Sequence, residues 1–462
     1  MTKHFKFKSA VNHSYWLDTV PQRDPFPTLK ADISADIAII GGGFVGLWSA
    51  LNARERFPDA KIVILEGDKC GAAASGRNGG FCAPSISHGI SNAKARWPEE
   101  AESLVRLGRE NLDGLEADLN NYGIDAEFER KGKLNLAAKP WQVDSLRAMQ
   151  QSYHEFGVEA QYLDPSDLTG FLNSPAYLAG LFEPNYATVN PMKIVEGLCS
   201  VTAKSGTEIY ENSRVNDLKN QANSILLTTD NGSVIAKKVI VGTNAAVPII
   251  RQLKSKVIPI FDYTLVTEPL SQSELESIGW EQRYGIADAG NQFHYSRKTA
   301  DNRILWGGYD AIYHYGSNQS KKLYNRDESF ARLEEHFFEV FPSLADIGFS
   351  HAWGGVIDTS ARTTFFSGTL YDDKVAYASG FTGQGVSASR FAALTMLDHL
   401  ENKKTESSQL RMHNAYAVPF PPEPIRYMGV KWAQHDLAKE DLTGKRSLLL
   451  KTLDQLGIGF NS

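Results

Sequence analysis

Three glycine-rich stretches hold the residues best suited to chemistry. In the first, Gly41, Gly43 and Gly46 form GxGxxG directly after the apolar run ADIAII, and Glu66 closes the next apolar run, AKIVILEGD. Glycines at this spacing let a backbone approach a pyrophosphate at a helix N-terminus, where unpaired N–H groups and the helix dipole favour negative charge. An acid about 20 residues further on accepts hydrogen bonds from a ribose and repels a 2′-phosphate. The second stretch, GAAASGRNGGF, sets Arg77 and Asn78 among small residues. A flexible linker has no use for that pair. The expectation is that Ser75, Gly79 and Gly80 bend back over the phosphates with their N–H groups while Arg77 and Asn78 supply side-chain donors. In the third, an apolar strand runs into GFTGQG, so that Gly383, Gln384 and Gly385 open a second helix N-terminus towards an anion or a carbonyl.

The surrounding elements must position these loops. ADIAII and AKIVIL read as strands buried on both faces. Between them Leu47, Ala50, Leu51 and Arg54 recur at helical spacing, which makes a βαβ unit and hence a parallel sheet. Residues 98–122 repeat Leu104, Leu107, Leu112, Leu115 and Leu119 as one face of an amphipathic helix. Further on, alternating runs dominate, with a hairpin signal at Asp230, Asn231 and Gly232 and another polar turn at Asp301 and Asn302. Antiparallel hairpins after a βαβ start imply two domains of different architecture.

Composition narrows the function. A chain of 462 residues, 42% hydrophobic and 22% charged, is globular and has room for two or three domains. A net charge of -6 without a basic block argues against nucleic acid. Cys70, Cys82 and Cys199 are scattered without CxxC pairs, which fits a reducing, cytoplasmic setting and neither a disulfide framework nor a metal site. The start lacks the apolar core of a signal peptide. The uncharged stretch 37–53 is interrupted by Gly41, Gly42 and Gly43, so no transmembrane segment is expected.

IAIIGGGFVGLWSA with Glu66, ASGRNGG, ATVNPMKIVEGL leading to NSRV, VIVGTNA, WGG at 353–355 and GFTGQG follow one another in the order found in a known family. On these motifs the chain resembles the D-amino acid oxidase-like superfamily of FAD-dependent oxidoreductases, in particular its γ-glutamylputrescine oxidoreductase-like subgroup. The resemblance implies an α/β fold, with a Rossmann-like FAD-binding domain of the glutathione reductase type and an α+β substrate domain on an antiparallel sheet. It divides the chain into a discontinuous FAD domain (34–90, 164–248 and 350–400), a substrate domain (91–163 and 249–349) and an extension (401–462) with a Pro-rich connector. It further implies that Val215 meets adenine through its backbone and that Gly383 to Gly385 face the flavin pyrimidine. Many relatives carry His where this chain has Gln384, so the FAD is expected to be noncovalent. A neutral amine would give hydride from its α-carbon to flavin N5, and water would hydrolyse the resulting imine. Oxygen or a quinone would accept the electrons. Tyr295, Arg297, Asp358 and Arg362 are the residues expected to line the substrate side, whereas strand alternation turns Lys298 away from Arg297's face. Two other readings are an NAD-dependent dehydrogenase and a flavoprotein whose cofactor is structural.

Overall fold

A computed structural model describes residues 5–246, 249–414 and 417–459. Its architecture follows from two sheets with opposite strand logic. The first has eight strands. Its main path runs Phe366–Leu370, Val375–Ser379, Ser233–Val241, Asp32–Ile40, Ile62–Leu65, Glu208–Tyr210. All but the edge pair Phe366–Leu370 with Val375–Ser379 are parallel along this path. Parallel strands are covered on both faces, and Ile62–Leu65 is accordingly buried at every position. The Asp230 turn joins Ile225–Thr228 to Ser233–Val241 in an antiparallel hairpin, as its sequence predicts.

Helices Phe44–Arg56, Pro191–Lys204 and Gly385–Leu400 cover this sheet. Gly46 explains how closely the first can sit: a Cβ there would lie 1.8 Å from the Gly41 carbonyl oxygen. The amphipathic helix is Ala101–Asn121 and packs on Gly385–Leu400. Its leucines share one core with Ile39 and Ile64 of the parallel sheet. Expected in the substrate domain, this helix therefore buries its apolar face on the nucleotide side.

The second sheet has nine strands and is antiparallel apart from the pair Lys133–Ala137 with Gly285–Asp288. Its main path runs Ile312–Tyr313, Val257–Thr267, Ile304–Gly308, His294–Lys298, Gly285–Asp288, Lys133–Ala137, Ala179–Glu183, Gln161–Leu163. Phe349–Ser360 pairs along the whole of Val257–Thr267. Two strands assigned by sequence to the FAD domain, Ala179–Glu183 and most of Phe349–Ser360, thus belong to this sheet, because hydrogen-bond register and not proximity in sequence decides membership. The boundary at 248 lies outside the described residues. Helix Asp327–Val340 backs the sheet through Phe330, Leu333 and Phe337.

Past the Pro-rich connector come helices Ile425–Thr443 and Leu448–Gln455. Asp441 ties the first of them to the second sheet by accepting from the Asn291 and Gln292 N–H groups at 2.8 and 2.7 Å. Among the described residues no helix is long and apolar enough to cross a membrane.

Candidate active site

A cavity of about 1650 Å³ lies between the two sheets. One wall is made by the glycine loops of the parallel sheet, the other by a face of the second sheet, and the C-terminal helices add Val430, Ala433 and Leu437.

At the first loop, helix Phe44–Arg56 starts at Gly43 with no side-chain cap, so its N-terminal dipole opens on the cavity. Glu66 braces the turn: Oε2 accepts from Gly42 N at 2.7 Å and Oε1 from Asp68 N at 2.8 Å. Burial raises its pKa above the usual carboxylate value. Ser75 Oγ accepts from Phe44 N at 2.9 Å, which draws the second loop onto the same helix start. Val215, buried, lines the cavity nearby.

The second loop corrects the reading of its Arg-Asn pair. Arg77 Nε donates to the Ala72 carbonyl at 2.8 Å and its Nη1 to the Gly354 carbonyl at 3.3 Å, with the guanidinium 4.9 Å from the Tyr324 ring centre. Asn78 Nδ2 donates to the Ala74 and Ser75 carbonyls at 3.0 Å each, and Asn78 Oδ1 accepts from Gly80 N at 2.9 Å. Arg77 Nε and Asn78 Nδ2 thus donate to the loop's own carbonyls, and Arg77 Nη1 to strand Phe349–Ser360. Their work is to fold the loop, while Trp16 and Trp353 indoles pin it by donating to the Asn78 and Arg77 carbonyls. Gly79 and Gly80 are needed because the second sheet presses against them. A Cβ on Gly79 would stand 2.7 Å from the Tyr295 ring, and one on Gly80, whose φ is +74°, 2.2 Å from the Val189 carbonyl oxygen.

Arg297 is the agent of that pressure and does not line the cavity. It is 0% exposed, and its Nη1 donates to the Val189 carbonyl at 2.6 Å and the Gly80 carbonyl at 3.3 Å, beneath the loop. Arg362 also lies outside the cavity. Among the described residues its Nε is buried without a hydrogen-bond partner, and it sits near enough to Arg96 to repel it. Asp358 does reach the cavity, yet its Oδ2 accepts from Gly380 N at 2.6 Å, and burial pushes the carboxyl up to about 7. It holds the third loop in place. There Gly383, at φ +85°, has open space where a Cβ would be, and Gln384 caps no N–H of helix Gly385–Leu400. Gln384 Oε1 is buried without a hydrogen-bond partner among the described residues.

Of the expected substrate-side residues, Tyr295 and Asp358 reach the cavity from the second sheet, Asp358 engaged with the third loop and Tyr295 with its own sheet face. Its hydroxyl donates to Asp262 Oδ2 at 2.6 Å and lies 3.1 Å from Thr264 Oγ1. Burial pushes Asp262 up to about 6 and the tyrosine well above its ordinary value. Across the sheet, Tyr295 pairs with Ala287 and Ala287 with Asn135, while Lys133 stands directly opposite Glu183. Lys133, Asn135, Glu183 and Asp262 all line the cavity, and sequence reasoning missed all four. The polar alternation in KLNLA was the one visible signal, and it pointed to Lys133 and Asn135 alone. Burial pushes Glu183 up to about 7 and lowers the Lys133 pKa; Lys133 Nζ lies 5.4 Å from the Tyr186 ring centre. Lys298 turns to the other face, where its amine donates to the Trp280 and Glu281 carbonyls.

A nucleotide-binding parallel sheet joined to an antiparallel sheet across one long cavity defines a flavoenzyme of two interleaved halves. The DAO family profile, FAD dependent oxidoreductase, matches residues 36–398, and the chain belongs to that family. The nicotinamide reading is thereby set aside. Among its relatives, the probable oxidoreductase OrdL of Haemophilus influenzae is 29% identical over 84% of this chain and 88% of its own. The γ-glutamylputrescine oxidoreductase of Escherichia coli is 28% identical over 82% and 86%. In structure the chain resembles glycine oxidase from Geobacillus kaustophilus, with a TM-score of 0.72 at 18% identity over 83% of this chain and 99% of that one. L-proline dehydrogenase from P. horikoshii gives 0.66, also at 18% identity, over 83% and 95%.

The residues present fit FAD. Two helix N-termini, one with Ser75 Oγ on its first N–H and one without a side-chain cap, and the orphaned Gln384 amide oxygen converge on one cavity, Glu66 stands by the first glycine turn, and the space above Gly383 is open.

Proposed function

We propose that this oxidoreductase acts on the C–N bond of an amine or amino-acid-like substrate, with FAD held noncovalently. When bound, FAD takes the hydride from the carbon that carries nitrogen. The observation that carries the reading is the composition of the sheet face across from the glycine loops. Tyr295 and Asp262 stand at one end and Lys133, Asn135 and Glu183 at the other, with Ala287 between them.

That face is suited to an amine for a simple reason. An amine gives up hydride only after losing its ammonium proton, and carboxyls at about 6 and about 7 can hold that proton near neutral pH. Two strand spacings, about 10 Å, separate Tyr295 from Asn135, which is room for a chain of several carbons over the small Ala287. Lys133 would then meet an anionic or carbonyl end. The wall residues exclude water and align the C–H bond, the two contributions such chemistry asks of a protein.

Noncovalent attachment is supported by the thiols: Cys70, Cys82 and Cys199 are all buried and none lines the cavity. The same unpaired thiols favour a cytoplasmic setting. Oxygen or a quinone would accept the electrons. Anaerobic mixing of the holoenzyme with paired probes, n-butylamine against 4-aminobutanoate and putrescine, tests the proposal. Bleaching of the flavin band by at least one amine is expected, and none by any amine would overturn it.

A further inference from the structure

The family match ends at 398, and the chain beyond it has two faces. Helix Ile425–Thr443 turns Val430, Ala433, Gln434 and Leu437 into the cavity wall. On its opposite side Ile425, Met428, Trp432 and Leu442 form a single stripe at helical spacing and are 61%, 66%, 60% and 76% exposed. Leu448 and Leu456, in and just past the next helix, are exposed as well. Six of the eleven large apolar side chains left exposed among the described residues fall in this short extension, which makes a patch and not the usual scatter. A helix that is apolar on two sides has two partners, and this chain supplies one.

Charge identifies the other. The five acids of 417–459 are all turned to internal work. Glu423 accepts from the Tyr313 hydroxyl at 2.6 Å, Asp436 from the Ser447 hydroxyl at 2.5 Å and Asp441 from two backbone N–H groups. Glu440 and Asp454 both pair with Arg446. The charges left exposed are Lys439, Lys445 and Lys451, none in an ion pair among the described residues. Lys439 stands within the apolar stripe itself. In a chain of net charge -6, this patch presents three lysines, the exposed His435 and large apolar groups, and no exposed acid.

We propose that this face docks the protein on an anionic lipid bilayer surface. Trp432, Met428 and Leu442 enter the headgroup boundary and the three lysines meet lipid phosphates, the pattern of an interfacial amphipathic helix. A second copy of the chain is the poorer occupant, because a two-fold contact sets Lys439 against its own image and offers no exposed acid.

Co-sedimentation of the full-length, FAD-loaded protein with vesicles tests this. Binding is expected to vesicles of equimolar phosphatidylglycerol and phosphatidylcholine, weak binding to phosphatidylcholine alone, and release at high salt. The double variant Met428→Ser/Trp432→Ser and the triple variant Lys439→Glu/Lys445→Glu/Lys451→Glu should each weaken binding about tenfold or more. Flavin content and melting temperature should stay unchanged in both, because the altered side chains are exposed. The proposal is overturned by absence of binding to anionic vesicles, by variants that bind as well as the parent, or by a Trp432-dependent dimer in sedimentation velocity without lipid binding.

Discussion

Replacing Arg297 with methionine tests how the flavin clamp is held. The side chain has no exposure, and its Nη1 serves two carbonyls, Val189 at 2.6 Å and Gly80 at 3.3 Å. The Gly80 carbonyl also accepts from Val189 N at 2.8 Å and keeps that partner, so Val189 is the carbonyl that suffers. Stranding a buried acceptor costs about 1–3 kcal/mol. Against this, burial holds the guanidinium down at about 10, which makes its charge cost on the order of 3 kcal/mol relative to the unfolded chain. The two effects nearly cancel, and the apoprotein should melt within a few degrees of the parent. The clamp, however, loses the group that fixes Gly79 and Gly80 against the second sheet. FAD affinity should then fall by about 1.5–3 kcal/mol, roughly 10- to 150-fold. Flavin fluorescence titration of the apoprotein measures this directly. Unchanged FAD affinity together with a raised KM for amine would refute the reasoning and return Arg297 to the substrate side.

Glu66→Ala should weaken FAD by about 1.5–3 kcal/mol as well, since it removes the brace on Gly42 and the proposed ribose acceptor, and the same titration reads it. Glu183 sits in the fold with its carboxyl at about 7, so its contribution to stability is present below about pH 4.5 and is lost as pH rises through 7. Glu183→Gln should therefore melt higher than the parent at pH 8.5, by up to about 3 kcal/mol of stability, and lose that advantage at pH 4. An equal gap at both pH values would show that Glu183 does not titrate there. Acid precipitation should release all flavin into the supernatant; yellow colour kept in the pellet would point to a covalent link, with His88, which lines the cavity, the first residue to test.

How much of this was legible in the sequence depends on whether the partner of each residue is local. Gly46 meets Gly41 within its own turn, so spacing alone marked the tight strand-to-helix turn, and the leucines of Ala101–Asn121 declared a buried face for the same local reason. What that face packs against was not legible, because helical period carries no address. The Arg77 and Asn78 side chains misled because carbonyls of their own loop compete for the same donors, and that competition is settled by loop shape. The substrate face was hidden for a different reason. Lys133 and Glu183 meet through strand register, and Asn135 reaches Tyr295's row only because two segments 150 residues apart pair in parallel. Arg297 and Tyr295 stand two apart on one strand, and so on one face, yet Arg297 lies under the loop beside Gly80 while Tyr295 lines the cavity.

The pairing of Asp32–Ile40 with Ser233–Val241 has a consequence for how the protein is made. At about 5–20 residues per second, the ribosome takes roughly 10–40 s to deliver the second of these strands after the first. Through that interval the apolar end of this strand, Ile37–Ile40, has Ile62–Leu65 on one side and lacks its neighbour on the other. The next strand in the sheet, Val375–Ser379, arrives later still, and with it the loop that completes the cofactor cavity. A chain stalled before residue 375 lacks one wall of the cavity, and the expected outcome is that it does not retain FAD.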